Sequence, residues 1–276
     1  MDISGFFVAA AVILLIYLFM IFPNPLRRRR FDVFSKKYIA HRGLFDNKST
    51  APENTIPAFR KAVEKSYGVE LDVQLTKDKK VVVIHDYDLK RVCGVSVKIS
   101  ELTFDELSRF KIFNSEEHVP LFSDVLKIIN GSVPLVVEIK SEFVGGELCE
   151  KTAELLDDYN GNFCIESFSP FSLLWFRIHR PKFLRGQLAT NFVKDRIEKS
   201  LPVKIVLTNC LANFISFPDF ISYNHKYANQ FSFWVCRKIL RARTACWTVN
   251  DELSLEKAEE IFDAVIFDGF EPSEYK

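Results

Sequence analysis

From Tyr38 onward, short apolar runs alternate with longer amphipathic stretches, and this alternation constrains the fold of the 276-residue chain more than any other feature. Nine runs read as strands: 38–41, 69–73, 81–85, 134–140, 162–166, 184–189, 218–222, 243–249 and 264–267. Most are apolar throughout, the pattern of parallel strands covered on both faces. Helical spacing lies between them. Ile56, Phe59, Ala62 and Val63 follow the capping pair Asn54-Thr55 and stop at Gly68. Further helices are expected over 103–110, 121–130, 146–158, 169–178, 191–199, 227–241 and 251–261. The alternation predicts an α/β fold of the (β/α)8 TIM-barrel type, with a doubly wound open sheet as the alternative. Nine strands are one too many for that barrel. Runs 69–73 and 81–85 are joined by only Gln74–Lys80. A parallel crossover needs a dozen residues or more, so this pair reads as an extra hairpin with Asp78 near its tip. The hairpin returns His85 to the side of Glu70 and Asp72. Residues 88–120 form a charged, less regular insertion.

The barrel domain is expected over 38–276. Ahead of it, Gly5–Phe22 is uncharged and apolar all round, long enough to span a bilayer core. The start Met1-Asp2-Ile3-Ser4 is not basic, and bulky residues precede Pro23-Asn24-Pro25. Those flanks suit an uncleaved anchor over 1–24 better than a cleaved signal. A basic linker is expected over 25–37, with Arg27-Arg28-Arg29-Arg30 and then Lys36 and Lys37. Positive flanks stay inside, so the protein is expected to be a single-pass membrane protein with its catalytic domain in the cytoplasm. The arginines read as a stop-transfer flank, and secondarily as an attraction for anionic head groups.

Composition excludes several classes. A net charge of +1 offers no footprint for nucleic acid. Cys93, Cys149, Cys164, Cys210, Cys236 and Cys246 show no CxxC spacing, which argues against a zinc site or a disulfide framework and for thiols in a reducing compartment. The 27 phenylalanines are expected mostly in the core, a few near the linker touching membrane. Oligomeric state is left open.

The chemistry concentrates in His41-Arg42-Gly43, Glu70-Leu71-Asp72 and His85-Asp86. Glu70 and Asp72 are two apart on a strand, so both side chains face one way. Acids inside an apolar run are costly to bury unless paired or bound to a cation. Glu138 repeats the pattern, with Lys140 two further on. Three convergent carboxylates without His or Cys at ligand spacing favour Mg²⁺ or Ca²⁺ over zinc. Imidazole as a group titrates near neutrality, so of His41 and His85 one can accept a proton while the other donates one. Arg42 can grip a phosphate through its guanidinium fork.

Seven blocks in order carry a resemblance: His41-Arg42-Gly43, Pro52-Glu53-Asn54-Thr55, Glu70-Leu71-Asp72-Val73, His85-Asp86, Glu138-Ile139-Lys140, Ser167-Phe168 and Trp247-Thr248-Val249-Asn250. From Tyr38 to the C-terminus the chain resembles the glycerophosphodiester phosphodiesterase family. That resemblance implies a phospholipase-C-like barrel that hydrolyses glycerophosphodiesters to glycerol 3-phosphate and an alcohol. It implies His41 and His85 as general acid and base, and Glu70, Asp72 and Glu138 as metal ligands. Arg42 and Lys140 would bind phosphate, with Glu53 and Asn54 supporting the first loop. Phe168 and Trp247 would line the substrate pocket, and Asn250 would brace the Trp247 loop. Direct attack by water and a cyclic phosphate intermediate both stay open. Cleavage of lysophospholipids or phosphoinositides on the same barrel is the alternative reaction, and a silent membrane-tethered binding module the alternative class.

Overall fold

The computed structural model describes residues 3–141 and 146–273. Nine strands form one sheet: β1 (Tyr38–Ala40), β2 (Gly68–Leu75), β3 (Val81–Val83), β4 (Leu135–Ile139), β5 (Phe163–Ser167), β6 (Leu184–Ala189), β7 (Phe220–Asn224), β8 (Arg243–Val249) and β9 (Ala264–Phe267). Their order is β1-β9-β8-β7-β6-β5-β4-β2-β3, and β1 also pairs with β2. That last pairing closes an eight-stranded parallel barrel, and the open-sheet alternative falls away. β3 is the extra strand. It runs antiparallel to β2, with Val73 opposite Val83 and Leu75 opposite Val81, as the short Gln74–Lys80 connection requires.

The helices are α1 (Ile3–Ile21), α2 (Ile56–Glu64), α3 (Lys90–Cys93), α4 (Phe104–Leu107), α5 (Phe122–Ile129), α6 (Gly146–Asp157), α7 (Pro170–His179), α8 (Leu201–Thr208), α9 (Asn213–Ser216), α10 (Phe231–Trp234) and α11 (Glu252–Glu259). A π-helical turn, Val235–Ile239, continues α10. The helix expected over 191–199 is absent, and the helix lies later, at α8. Asn191 explains the shift. Its Oδ1 accepts from Lys194 N at 3.0 Å. Such a side-chain bond competes with helical ones, whereas at α8 Ser200 takes the extended N-cap position and Pro202 falls in the first turn, where its missing N–H costs nothing.

The barrel interior changes character along its axis. Side chains alternate in a strand, so inward positions fall two apart. On β4 they are Val136 then Glu138, and on β5 Cys164 then Glu166. At the N-terminal end, Ile39, Val136, Cys164, Leu184, Phe220 and Ala264 pack into one apolar cluster. Phe220 fills this floor so tightly that a Cβ on Gly186 would fall 2.2 Å from its ring, so only glycine fits there. At the C-terminal end the inward residues are acids and other polar groups, where a site can be built.

Two expectations about the periphery change. The segment expected as a basic linker, 25–37, is part of the barrel floor. Phe31 and Phe34 are about 1% exposed and join the floor cluster, the Phe31 ring meeting Phe220 at a tilt of 33° with centroids 4.6 Å apart. The arginine run is tied to the same end. Arg27 donates to the carbonyls of Pro181 and Lys182, Arg28 to that of Leu240, and Arg30 to that of Lys182 at 3.3 Å. The guanidinium groups of Arg27, Arg28 and Arg30 thereby each bond protein oxygens at this end, while Arg29 is exposed. The 88–120 insertion has a small core of its own: Val82, Ile84, Leu89, Val92, Ile99, Leu107, Ile112 and Val119. The six cysteines are free, five of them buried.

Candidate active site

At the C-terminal end of the strands lies a cavity of about 140 Å³ lined by His41, Arg42, Glu70, His85, Glu138, Lys140, Glu166, Phe168, Leu188, Trp247, Thr248 and Ile266. It adjoins a groove of about 530 Å³ that shares His85, Glu138, Lys140 and Phe168. A larger groove, about 630 Å³, runs between the loops after β1 and β9, but of the charged cluster it touches only Asp268. The chemistry therefore belongs to the smaller cavity and the groove beside it.

Glu70, Asp72 and Glu138 each offer an oxygen within 4.8 Å of the others, and all three are buried. The register that places Asp72 beside Glu138 brings them together. Lys140 Nζ sits 2.9 Å from Glu138 Oε1 and 3.1 Å from Asp72 Oδ1. Arg42 donates from its backbone N to Glu70 Oε2 at 3.0 Å and from Nη1 to Glu53 Oε1 at 2.7 Å, and its Nε lies 3.5 Å from Asp72 Oδ2. Asn54 Nδ2 donates to Asp72 Oδ2 at 2.9 Å. Burial raises the carboxyl of Glu70 well above its ordinary range, helped by the charges of Asp72, Glu138 and Glu166. Burial also raises Glu138. Asp72 is held low against its burial by Lys140, His85 and Arg42. Lys140 is raised against its own burial by Asp72 and Glu138. Burial and mutual repulsion thus disfavour the anionic forms of Glu70 and Glu138, and Asp72 Oδ1, though 3.1 Å from Lys140 Nζ, has no aligned hydrogen bond. This all-oxygen set fits a hard divalent cation.

The two histidines share that cavity and are braced alike. His41 Nδ1 lies 2.9 Å from Asp268 Oδ2, which directs Nε2 inward, 3.9 Å from Glu70 Oε2. Burial lowers the His41 pKa, so the ring is neutral near pH 7. His85 Nδ1 lies 2.6 Å from Asp86 Oδ1. Gln74 Nε2 holds the His85 loop by donating to the carbonyls of Ile84, His85 and Asp86 at 2.8–3.1 Å. Asp86 accepts from Arg91 Nε at 2.6 Å, and Arg91 also donates to both oxygens of Glu53. One network therefore runs from His85 through Asp86, Arg91 and Glu53 to Arg42. Within it the Glu53 carboxyl is held down to about 2 against its burial, by Arg91 and Arg42.

Trp247 and Phe168 form the apolar wall, edge to face at 5.5 Å. Trp247 Nε1 donates to the carbonyl of Ser222 at 3.1 Å. Asn250, expected to brace this loop, is exposed and lies outside the cavity lining. Bracing falls to Ser222 and Phe168 because residue 250 is already past the end of β8. Four further residues belong to the site. Glu166 is buried with its pKa pushed up to about 8, by burial and then by the charge of Glu138. Its signal was present, an acid near the end of an apolar run, as at Glu138. Asp268 follows β9 in the same way. Asp86 sits in the His85-Asp86 dipeptide. Arg91 carried no signal, because its role depends on the insertion folding back on Glu53.

A model of the glycerophosphoryl diester phosphodiesterase family matches residues 41–271. The chain belongs to this family. It is a phosphoric diester hydrolase. A Bacillus subtilis protein provisionally named a glycerophosphodiester phosphodiesterase is 29% identical over 83% of this chain and 93% of its own length. The Caldanaerobacter subterraneus glycerophosphodiester phosphodiesterase is 38% identical over 49% of this chain and 59% of its own. Human lysophospholipase D is 32% identical over 52% of this chain and 48% of its own, so the chain spans about half the length of that relative. The Oleispira antarctica phosphodiesterase, solved with its product sn-glycerol-3-phosphate, superposes with a TM-score of 0.69 at 22% identity, covering 86% of this chain and 94% of that one. The Thermotoga maritima glycerophosphodiester phosphodiesterase superposes with a TM-score of 0.64 at 26% identity, covering 83% and 93%.

Proposed function

We propose that this family member hydrolyses glycerophosphodiesters to glycerol 3-phosphate and an alcohol, with a divalent cation, Mg²⁺ or Ca²⁺, held by Glu70, Asp72 and Glu138. The observation that carries the reading is one cavity walled by two carboxylate-braced imidazoles, two cations, and Glu70 and Glu138 of a buried acidic trio whose third member, Asp72, lies against both cations. The cation would draw charge from the phosphoryl oxygens. Arg42 and Lys140 bind the remaining oxygens and orient the diester. One of His41 and His85 takes the proton of the attacking hydroxyl at Nε2, and the other hands a proton to the departing alcohol. Asp268 and Asp86 hold the rings for this, and Glu53 and Asn54 fix the loop that carries Arg42. Phe168 and Trp247 exclude water and pack on the carbon skeleton. Release of glycerol 3-phosphate from glycerophosphocholine and glycerophosphoethanolamine, in EDTA and then with Mg²⁺, Ca²⁺ or Mn²⁺ restored, tests the reading. Metal-dependent release that falls by orders of magnitude in His41→Ala is expected. Full activity in EDTA, or in His41→Ala, would overturn it.

A second reading, cleavage of lysophospholipids, is favoured by the α1 helix and by the relatives named lysophospholipase D. Ile3–Ile21 is long and apolar enough to cross a membrane. We infer that it anchors the protein as a single-pass membrane protein with the barrel in the cytoplasm, and that lysolipid in micelles competes with the water-soluble diester.

A further inference from the structure

The path of α1 over the barrel fixes which way its free end points. Tyr17 OH donates to Ser232 Oγ at 3.0 Å, and four residues on, the Ile21 carbonyl accepts from Cys236 Sγ at 3.4 Å. The offset between partners is the same in both contacts, so α1 runs parallel to α10 and its π-helical continuation. Those turns lead from the C-terminal end of β7 down to the N-terminal end of β8. Asn24 confirms the direction. Its N donates to the carbonyl of Pro218 at 2.8 Å, and its side chain to Asp219, just ahead of β7 on the floor. Tyr17 lies level with the opposite end. Its partner Ser232 bonds Asn209 Oδ1, and the neighbouring Thr208 accepts at its carbonyl from Tyr223 OH near the end of β7. Residues 3–16 therefore extend past the barrel on the side of the active-site mouth.

The rim at that end is apolar where α1 leaves it. Val193, Leu201, Val203, Ile205, Phe231 and Trp234 are exposed, Leu201 by 60% and Phe231 by 65%. Lys194, Arg196, Lys199 and Lys204 are interspersed, against Asp195 and Glu198. Apolar side chains mixed with an excess of cations suit the head-group region of a bilayer. The rim also connects to the cavity, since Phe168 in its wall meets Phe192, beside Val193, edge to face at 5.9 Å.

We propose that the rim formed by the β6–α8 loop, α8 and α10 docks on the bilayer surface, so that the active-site mouth faces the membrane and admits phosphodiesters lying at head-group depth. This rests on the reading of α1 as a membrane segment. The test uses the full chain carrying Cys93→Ser, with a fluorophore on Ile205→Cys at the rim or on Lys182→Cys at the floor. Each is reconstituted in phosphatidylcholine–phosphatidylglycerol vesicles containing lipids brominated on the acyl chain. Quenching of the rim label with a floor label left bright is expected. The pair Leu201→Glu and Phe231→Glu should weaken the rim quenching about tenfold while the chain still co-floats with vesicles and still cleaves soluble glycerophosphocholine. Co-flotation with an unquenched rim label would overturn the docking and leave the anchor standing. Failure of the full chain to co-float would overturn the anchor, and the docking with it.

Discussion

Lys140→Met removes the cation that touches two buried carboxylates while keeping the volume of the side chain. Lys140 is about 10% exposed, with Glu138 at 2.9 Å and Asp72 at 3.1 Å, so the charges it leaves behind have little access to water. Removing one partner of a buried ion pair costs about 3–5 kcal/mol. Glu138, already raised by burial, would relieve part of this by taking up a proton, which places the loss at the lower end. At about 2–4 °C per kcal/mol for a chain of this size, the unfolding midpoint in EDTA should fall by roughly 10 °C. The sign with pH follows from linkage. Without Lys140 the folded state holds more protons than the unfolded chain, so the deficit grows as pH rises and shrinks toward pH about 5. Thermal unfolding in EDTA at several pH values measures both, and added Mg²⁺ or Ca²⁺ should return part of the loss. A midpoint in EDTA equal to that of the unsubstituted protein, with no growth of a deficit at higher pH, would refute the charge argument.

Asp268→Asn should lower kcat about 10- to 100-fold with little change in KM or stability, because it loosens the His41 ring without touching substrate; unchanged kcat would remove its bracing role. The Glu53 carboxyl falls from an ordinary 4.5 to about 2 in the folded protein, worth up to about 3 kcal/mol. Being depressed, it contributes fully above about pH 4.5 and is lost as pH falls toward 2. Denaturant unfolding of Glu53→Gln should therefore show a deficit at neutral pH that narrows in acid, and a constant deficit would contradict the assignment.

Much of the fold and site was legible in the chain itself, for identifiable reasons. Parallel strands covered on both faces must be apolar throughout, so strand positions could be read locally, and the shortness of Gln74–Lys80 excluded a crossover. Acids in such runs are costly enough to mark themselves, as at Glu70, Asp72 and Glu138. Glu166 carried the same mark but had no charged residue two positions on, as Glu70 has Asp72 and Glu138 has Lys140. What depended on distant segments meeting was not legible. Asp268 reaches His41 across 227 residues of chain, because β9 pairs with β1 to close the barrel. Arg91 joins the network only when the insertion folds onto Glu53. Phe31 and Phe34 looked like linker residues because their partners, among them Phe220 and Leu184, lie far along the sequence. The composition of α1 was plain from its residues. Its direction over the barrel, which turns a possible anchor into a statement about where the mouth points, required the tertiary contacts of Tyr17, Ile21 and Asn24. Local pattern reports what a segment must bury or span, and only packing reports against what and facing which way.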